Sequence, residues 1–145
     1  MVTALVWSDA LAGYRFRAGH PLDPRRLELT MALIRAMDLA GGPDRPIIAP
    51  RDATDDELLT VHAPDYVAAV REASASALSS STATRARVRA GYGLGTEDVP
   101  IVPRMHEMSR HAVGATLTAA ELVAAGRLSD VESAHSFWVG AFRGP

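Results

Sequence analysis

Two acidic side chains in a short loop are the first candidates for chemistry in this sequence. Glu97 and Asp98 lie within the run Gly95-Thr96-Glu97-Asp98-Val99-Pro100-Ile101, which a long amphipathic stretch follows. Gly95 permits a tight backbone path, and Pro100 keeps the loop from joining a helix too early. An ionised carboxylate on such a loop can accept strong hydrogen bonds from the amide N–H groups of a ligand. A solvated acidic turn is the alternative interpretation of the same residues, because loops are usually polar.

Other segments along the chain combine aromatic, basic and histidine residues in a characteristic order. They are Tyr14-Arg15-Phe16-Arg17-Ala18-Gly19-His20-Pro21-Leu22, Pro24-Arg25-Arg26-Leu27, Leu58-Leu59-Thr60-Val61-His62 with Asp65-Tyr66-Val67, and Met105-His106-Glu107. With the acidic loop between the last two, the chain resembles the amino-terminal part of the histone deacetylase superfamily over residues 2–130. It is most similar to the bacterial acetoin-utilisation deacetylase branch.

The resemblance implies a fold and an activity. The fold would be the three-layer α/β arginase/deacetylase-like fold with a mostly parallel sheet, present here only as its N-terminal portion. The strand–helix–strand–helix order of the predicted elements favours an α/β layer fold on its own account. The activity would be zinc-dependent hydrolysis of acetyl-lysine or a related acyl-amine by the full-length protein.

The resemblance implies a substrate-binding role for four residues. Asp98 would lie at the rim of the substrate tunnel and accept hydrogen bonds from the backbone of the acylated substrate, and Glu97 would occupy a neighbouring rim position. Pro21 would line the entrance. Arg26 would reach a cavity below the metal site, where a guanidinium could hold acetate by a bidentate bond. A surface arginine beside Arg25 is the alternative for Arg26.

The residues that perform the family's chemistry are not found in this sequence. The family places its catalytic histidine pair in a Gly-Gly-Leu-His-His-Ala type segment and takes zinc ligands from an Asp-x-His motif and a later Asp. Neither a His-His pair nor an Asp-x-His motif occurs among these 145 residues. We therefore expect no catalytic residue and no metal ligand in this chain, zinc only in the full-length family, and no activity of the chain alone. A non-catalytic pseudoenzyme that binds an acylated peptide or a protein partner, and a gene fragment without function, are the alternatives.

The histidines do not suggest a metal site of another kind. His106 and His111 are five positions apart, so on a helix their side chains diverge by about 140°. A zinc-binding pair on one helix face needs a spacing of four. We expect His20 and His62 to have structural roles, and we assign no catalytic role to His135.

The resemblance divides the chain into residues 1–130, the N-terminal part of a deacetylase-like domain, and an anomalous tail, residues 131–145. Back-translation of Phe137–Phe142 in a shifted frame gives a Leu-Gly-rich run like the one that precedes the family's histidine pair. We hypothesise a frameshift near residue 130.

A domain truncated there would leave an open sheet edge and exposed apolar helix faces, which predicts poor solubility or dependence on a partner.

Composition excludes several classes of partner. The net charge of −2 and the pI near 6.2 give no electrostatic case for nucleic-acid binding. No apolar run approaches the length of a membrane span, and no cysteine is present for disulfides or thiolate metal sites. The first residues lack the basic flank of a signal peptide, so we expect a soluble cytoplasmic protein.

Local signals predict the main elements. Thr3–Trp7 is predicted as a buried strand, and a helix should begin at Pro24, be capped by Asp23 and end at Gly41-Gly42-Pro43. A second brief strand is expected at Pro46–Pro50.

The second half is predicted to be helical with one long loop. Thr54 and Glu57 form a capping box, and a break at Pro64 starts a helix from Tyr66 to about Ala75. Residues 74–90 show no periodicity and are predicted as a mobile loop with solvated arginines. The last helix should open at Pro103 or Arg104 and stop at Gly126, and its small residues should allow close packing. These small residues are Ala112, Gly114, Ala115, Ala119 and Ala120.

Overall fold

The computed structural model of the protein describes residues 3–16, 18–79, 82–127 and 130–133. The strands are β1 (Thr3–Val6), β2 (Ile47–Ile48) and β3 (Asp130–Ser133). A short 3-10 helix spans Asp9–Gly13, and the α-helices are α1 (Arg25–Ala36), α2 (Asp55–Leu59), α3 (Pro64–Ser79), α4 (Thr82–Tyr92) and α5 (Met105–Ala124).

The described strands form one parallel sheet in the order β2-β1-β3. Leu5 is in register with Ile47 on one side, and Val6 is in register with Ser133 on the other. Parallel neighbours need crossover connections, which the helices provide here. The α/β prediction is confirmed. Strand β3 starts at the last residue of the predicted 1–130 segment and runs into the predicted tail, and residues 134–145 lie outside the described part of the chain.

Several predicted helix signals are present in the structure. The Thr54 hydroxyl accepts a hydrogen bond from the Glu57 backbone N–H at 3.2 Å, and the Glu57 carboxylate accepts one from the Thr54 N–H at 2.7 Å. Helix α1 begins one residue later than predicted, with Pro24 rather than Asp23 at the N-cap position, and the Asp23 carboxylate accepts a hydrogen bond from the Arg25 N–H at 2.9 Å. Gly126 ends α5 with a φ of +64°.

The predicted end of α1 is wrong. The helix stops at Ala36, before the Gly41-Gly42-Pro43 stop signal. Asp38 adopts the left-handed conformation with a φ of +52°, and the Leu39 N–H donates to the Ile34 carbonyl at 3.0 Å. This is a helix-terminating arrangement that glycine usually provides, and asparagine or aspartate can replace it because their short polar side chains tolerate positive φ.

The predicted mobile loop at 74–90 is also wrong. Helix α3 continues to Ser79 and α4 begins at Thr82. Alanine and arginine are strong helix formers, and in α4 a single apolar side chain, Val88, is fully buried against α3. The exposed Arg87 forms an ion pair with Glu72 of α3. The segment escaped prediction because one buried residue does not produce a periodic pattern.

The small residues of α5 pack closely as predicted at three positions. Ala115 is fully buried, Ala119 is buried, and Gly114 lies so close to residues 51–53 that a Cβ there would be 1.9 Å from the Arg51 carbonyl oxygen. Ala112 is half-buried and Ala120 is exposed. None of the helices in the described part of the chain is long and apolar enough to cross a membrane.

Candidate functional site

The acidic loop is held in one shape by its own backbone. Gly95 has a φ of +87°, and its N–H donates to the Val99 carbonyl at 2.8 Å. The Val99 N–H donates to the Thr96 hydroxyl at 3.1 Å. Glu97 and Asp98 lie between these bonds at the exposed tip of the loop. Within the described ranges, neither carboxylate has a hydrogen-bond or ion-pair partner, so both are free to accept hydrogen bonds from a ligand.

A buried cluster anchors the ends of this loop. Val99, Ile101 and Val102 pack against a group of buried side chains. The members of this group are Tyr14, Ala69, Val70, Ala73, Val88, Leu94 and Met105. Because the residues after the carboxylates are fixed in this way, the carboxylates are presented from a rigid base, although they are themselves exposed.

The segment that contains Pro21 is attached to the same cluster. Phe16 packs against the cluster, and its ring meets Tyr14 edge-on, with the ring centroids 4.7 Å apart. His20 stacks on Phe16 with the centroids 4.2 Å apart, and its Nδ1 accepts a hydrogen bond from the Leu22 N–H at 3.1 Å. His20 thus has the structural role that the sequence predicted. Pro21 is exposed beside it.

Arg26 lies elsewhere, on the first turn of α1. Its side chain is exposed. Leu27 and Met31 of the same helix are buried with Trp7 and Ala12, in a cluster separate from the one beneath the acidic loop. The structure therefore brings the loops of Pro21 and Asp98 to one cluster and places Arg26 outside it. The role of Arg26 in a cavity stays a prediction.

His106 and His111 point to different surroundings. The two ring nitrogens of His111 face the Asp52 carboxylate at 2.6 Å and the Ser8 hydroxyl at 3.2 Å. His106 is buried near the Arg71–Asp55 ion pair, and burial, with the charge of Arg71 as the next cause, lowers its pKa. The neutral form of His106 is favoured as a result.

An arginine that the sequence analysis did not single out connects α2 to α5. Arg51 donates to both carboxylate oxygens of Glu57, at 2.8 and 2.5 Å, and also pairs with Glu121. The hydrogen bonds from Arg51, followed by the one from the Thr54 backbone, lower the pKa of Glu57 to about 2. No local signal marks this arrangement, because Glu121 is brought to Arg51 only by the packing of α5.

The described residues do not form a metal site. No group of three histidine, aspartate or glutamate side chains in the described ranges lies close enough together to hold an ion. Tyr14, whose pKa burial raises to about 12, is a protonated hydroxyl at neutral pH. The arrangement can therefore accept hydrogen bonds at the acidic loop, and it offers no assembled set of ligands for Lewis-acid chemistry.

Comparison with known proteins identifies a matching family model and several related sequences. A family model for the histone deacetylase domain matches residues 20–145. The acetoin utilization protein AcuC of Bacillus subtilis (strain 168) is 36% identical over 125 residues, which are 86% of this chain and 30% of that protein. AcuC of Staphylococcus xylosus is 39% identical over 128 residues, which are 88% of this chain and 31% of that protein. The chain thus spans about 30% of the length of these curated relatives.

Solved structures show the same relationship in the fold. The crystal structure of an HDAC homologue from Aquifex aeolicus superimposes with a TM-score of 0.73 at 27% identity, over 92% of this chain and 33% of that one. An HDAC homologue complexed with SAHA gives a TM-score of 0.70 at 29% identity, over 91% of this chain and 32% of that one. The described elements are part of the arginase/deacetylase-like fold, and the chain belongs to the histone deacetylase family.

Proposed function

We propose that this chain carries the substrate rim of a zinc-dependent deacetylase that hydrolyses acetyl-lysine or a related acyl-amine. The observation that supports the proposal most is the pair of free carboxylates, Glu97 and Asp98, on a loop whose backbone is fixed. Family membership supplies the reaction class, and the unpartnered acids supply a place where a substrate can bind.

Asp98 is the primary acceptor in this proposal. The amide N–H groups beside an acylated lysine donate to its carboxylate, and Glu97 offers a neighbouring acceptor. A hydrogen bond to a charged group contributes about 1.5–3 kcal/mol, and solvent exposure places this site at the lower end. Because the loop is already ordered by its hydrogen bonds at Gly95 and Val99, binding does not require it to be reorganised.

Pro21 and Arg26 complete the proposed set with different contributions. Pro21 lies next to His20 on a segment that shares its buried cluster with the acidic loop, which supports a position at the entrance. Arg26 would hold the acetate product through its planar guanidinium. Its exposed position on α1 means that this role depends on parts of the protein beyond the described residues.

The described residues do not fit zinc, and we assign no step through the metal to this chain. Histidine and carboxylate ligands in the family's pattern are not found in the sequence, and the described side chains form no group of three potential ligands. Binding is therefore the function of this chain in our proposal, and hydrolysis belongs to the full-length family.

One alternative is supported by the same observations. A protein with a free acidic rim and no assembled metal site can be a non-catalytic binder of acylated peptides or of a protein partner. This alternative differs from the first proposal only in whether the gene encodes a longer protein that contains the zinc ligands.

A peptide titration tests the proposal. A fluorescent peptide with one acetyl-lysine is titrated with the 145-residue chain, with the variant Asp98→Asn, and with the matched control Asp56→Asn. Asp56 is an exposed acid on α2, away from the rim. We expect Asp98→Asn to weaken binding by about tenfold, since one charge-assisted hydrogen bond is lost, while Asp56→Asn binds as the unaltered chain does. Equal affinities of the two variants would contradict the rim assignment.

An acetate-release assay with the same peptide tests the division between binding and hydrolysis. We expect no acetate from this chain, with or without added zinc, and release by a full-length family member as the positive control. Release of acetate by the chain alone would contradict the assignment of hydrolysis to residues outside it.

A further inference from the structure

A cavity separate from the acidic loop lies between the 3-10 helix, α2, α3 and α5. Its volume is about 110 Å³. Its walls are mainly apolar and include Leu11, Leu58, Val67 and Val113. A cavity of about 150 Å³ with apolar walls is known to bind benzene in another protein, so this space is of the right order for a single aromatic ring. None of Pro21, Arg26, Glu97 and Asp98 lines it.

One polar side chain in the wall can take up a further hydrogen-bond partner, although no fully buried side-chain nitrogen or oxygen among the described residues is left unpaired. His106 is 7% exposed, and its ring forms no hydrogen bond with any of the described residues. A neutral imidazole has one N–H donor and one acceptor nitrogen. By contrast, the hydroxyl of Ser109, which also lines the cavity, already donates to the Met105 carbonyl at 2.8 Å.

Aromatic rings on one side favour a flat ligand. His62 and Tyr66 both line the cavity, and their ring centroids are 5.3 Å apart. The two rings contact each other and add aromatic surface to the wall, and aromatic surface packs favourably against a further ring. A charged ligand is disfavoured because burying a charge among these side chains is costly without an opposite charge to pair with it.

We propose that this cavity binds a small, uncharged aromatic molecule that carries one hydroxyl group, with the ring among the apolar walls and the hydroxyl hydrogen-bonded to His106. Phenol is the simplest such molecule. The site is independent of the proposed deacetylase function, since it shares no residue with the acidic rim.

Methionine NMR of the full chain provides a direct test. The chain is labelled with 13C at the methionine methyl groups and titrated with phenol and, separately, with toluene. Met108 lines the cavity, whereas Met37, directly after the last residue of α1, is 59% exposed and serves as the internal control. We expect a saturable shift of the Met108 methyl resonance with phenol, no saturable shift of Met37, and weaker binding of toluene.

Three variants identify the contacts. His106→Phe keeps a ring but removes the hydrogen bond, and should weaken phenol binding by about three- to tenfold while leaving toluene unchanged. Ala112 also lines the cavity, so Ala112→Leu fills it and should abolish binding of both. Ala120→Leu, the same change at an exposed position of the same helix, should bind as the unaltered chain does.

Specific results would overturn the proposal. These are the absence of a saturable Met108 shift in the folded chain, equal affinity for phenol and toluene, or unaltered binding in Ala112→Leu. If Ala112→Leu does not fold, the comparison of phenol and toluene in His106→Phe decides by itself, and an unchanged phenol affinity there would refute the assignment.

Discussion

Gly114 provides the sharpest prediction about packing, because the same substitution should have opposite effects at two glycines. In Gly114→Ala, the new Cβ would lie 1.9 Å from the Arg51 carbonyl oxygen and 2.8 Å from the Ala53 nitrogen. Backbone atoms cannot rotate away as a side chain can, so residues 51–53 must move away from α5. In Gly91→Ala, no atom other than those of the adjoining backbone of α4 and the two chain neighbours lies within 4 Å of the new Cβ.

The magnitude follows from the bonds that hold residues 51–53 against α5. The Ala53 N–H donates to the Arg110 carbonyl at 3.0 Å, the Arg51 N–H donates to the Thr118 hydroxyl at 3.2 Å, and Arg110 Nε donates to the Ala53 carbonyl at 2.7 Å. Loss of three such bonds costs about 1.5–4.5 kcal/mol. Replacing a helical glycine by alanine stabilises the helix by about 1 kcal/mol. The net expectation for Gly114→Ala is a destabilisation of about 0.5–3.5 kcal/mol, which spans the usual range of overpacking substitutions.

Urea unfolding followed by circular dichroism measures both variants against the unaltered chain. We expect Gly114→Ala to lower the free energy of unfolding and Gly91→Ala to leave it unchanged or to raise it by up to about 1 kcal/mol. If Gly114→Ala is as stable as Gly91→Ala, then α5 does not pack against residues 51–53 in solution and the reasoning is refuted.

Two further predictions concern the capping box. Thr54→Ala should lower the free energy of unfolding by about 1 kcal/mol through loss of the helix cap. The control Thr116→Ala, on the exposed face of α5, should change the free energy of unfolding by less than about 0.5 kcal/mol. Equal urea midpoints of the two variants would contradict the role of the cap. Because Arg51 lowers the pKa of Glu57 in the folded state, the stabilisation is complete above pH 4.5 and should be lost as the pH falls toward 2. Urea midpoints over this range should fall less steeply for Glu57→Gln, and parallel slopes would count against the ion pair.

Features that depend on adjacent residues could be predicted from the sequence. The capping box at Thr54 and Glu57, the Asp23–Arg25 hydrogen bond before α1 and the stop at Gly126 each rest on bonds or backbone angles within a few residues. The family resemblance was likewise visible, because it rests on short motifs in a fixed order. It also placed the acidic loop, whose Gly95 turn the structure contains.

Features that depend on packing between distant elements could not be predicted. The sequence predicts a loop where α4 lies, because Val88 is the only apolar residue of α4 that is fully buried. The Arg51–Glu121 pair and the cavity beside His106 form only when α5 lies against α2 and α3. The local sequence bears on His106 only through its spacing from His111, and no local pattern indicates that its imidazole lines a cavity. The absence of a His-His pair, by contrast, was readable directly from the sequence.

The most direct test of the central claim is the sequence of the coding DNA from codon 125 through several hundred bases beyond codon 145. If the chain is the front portion of a zinc-dependent deacetylase, another reading frame continues with codons for Gly-Gly-Leu-His-His and, further on, Asp-x-His. If no frame contains such codons, the claim is contradicted, and a non-catalytic binder of acylated peptides becomes the better account.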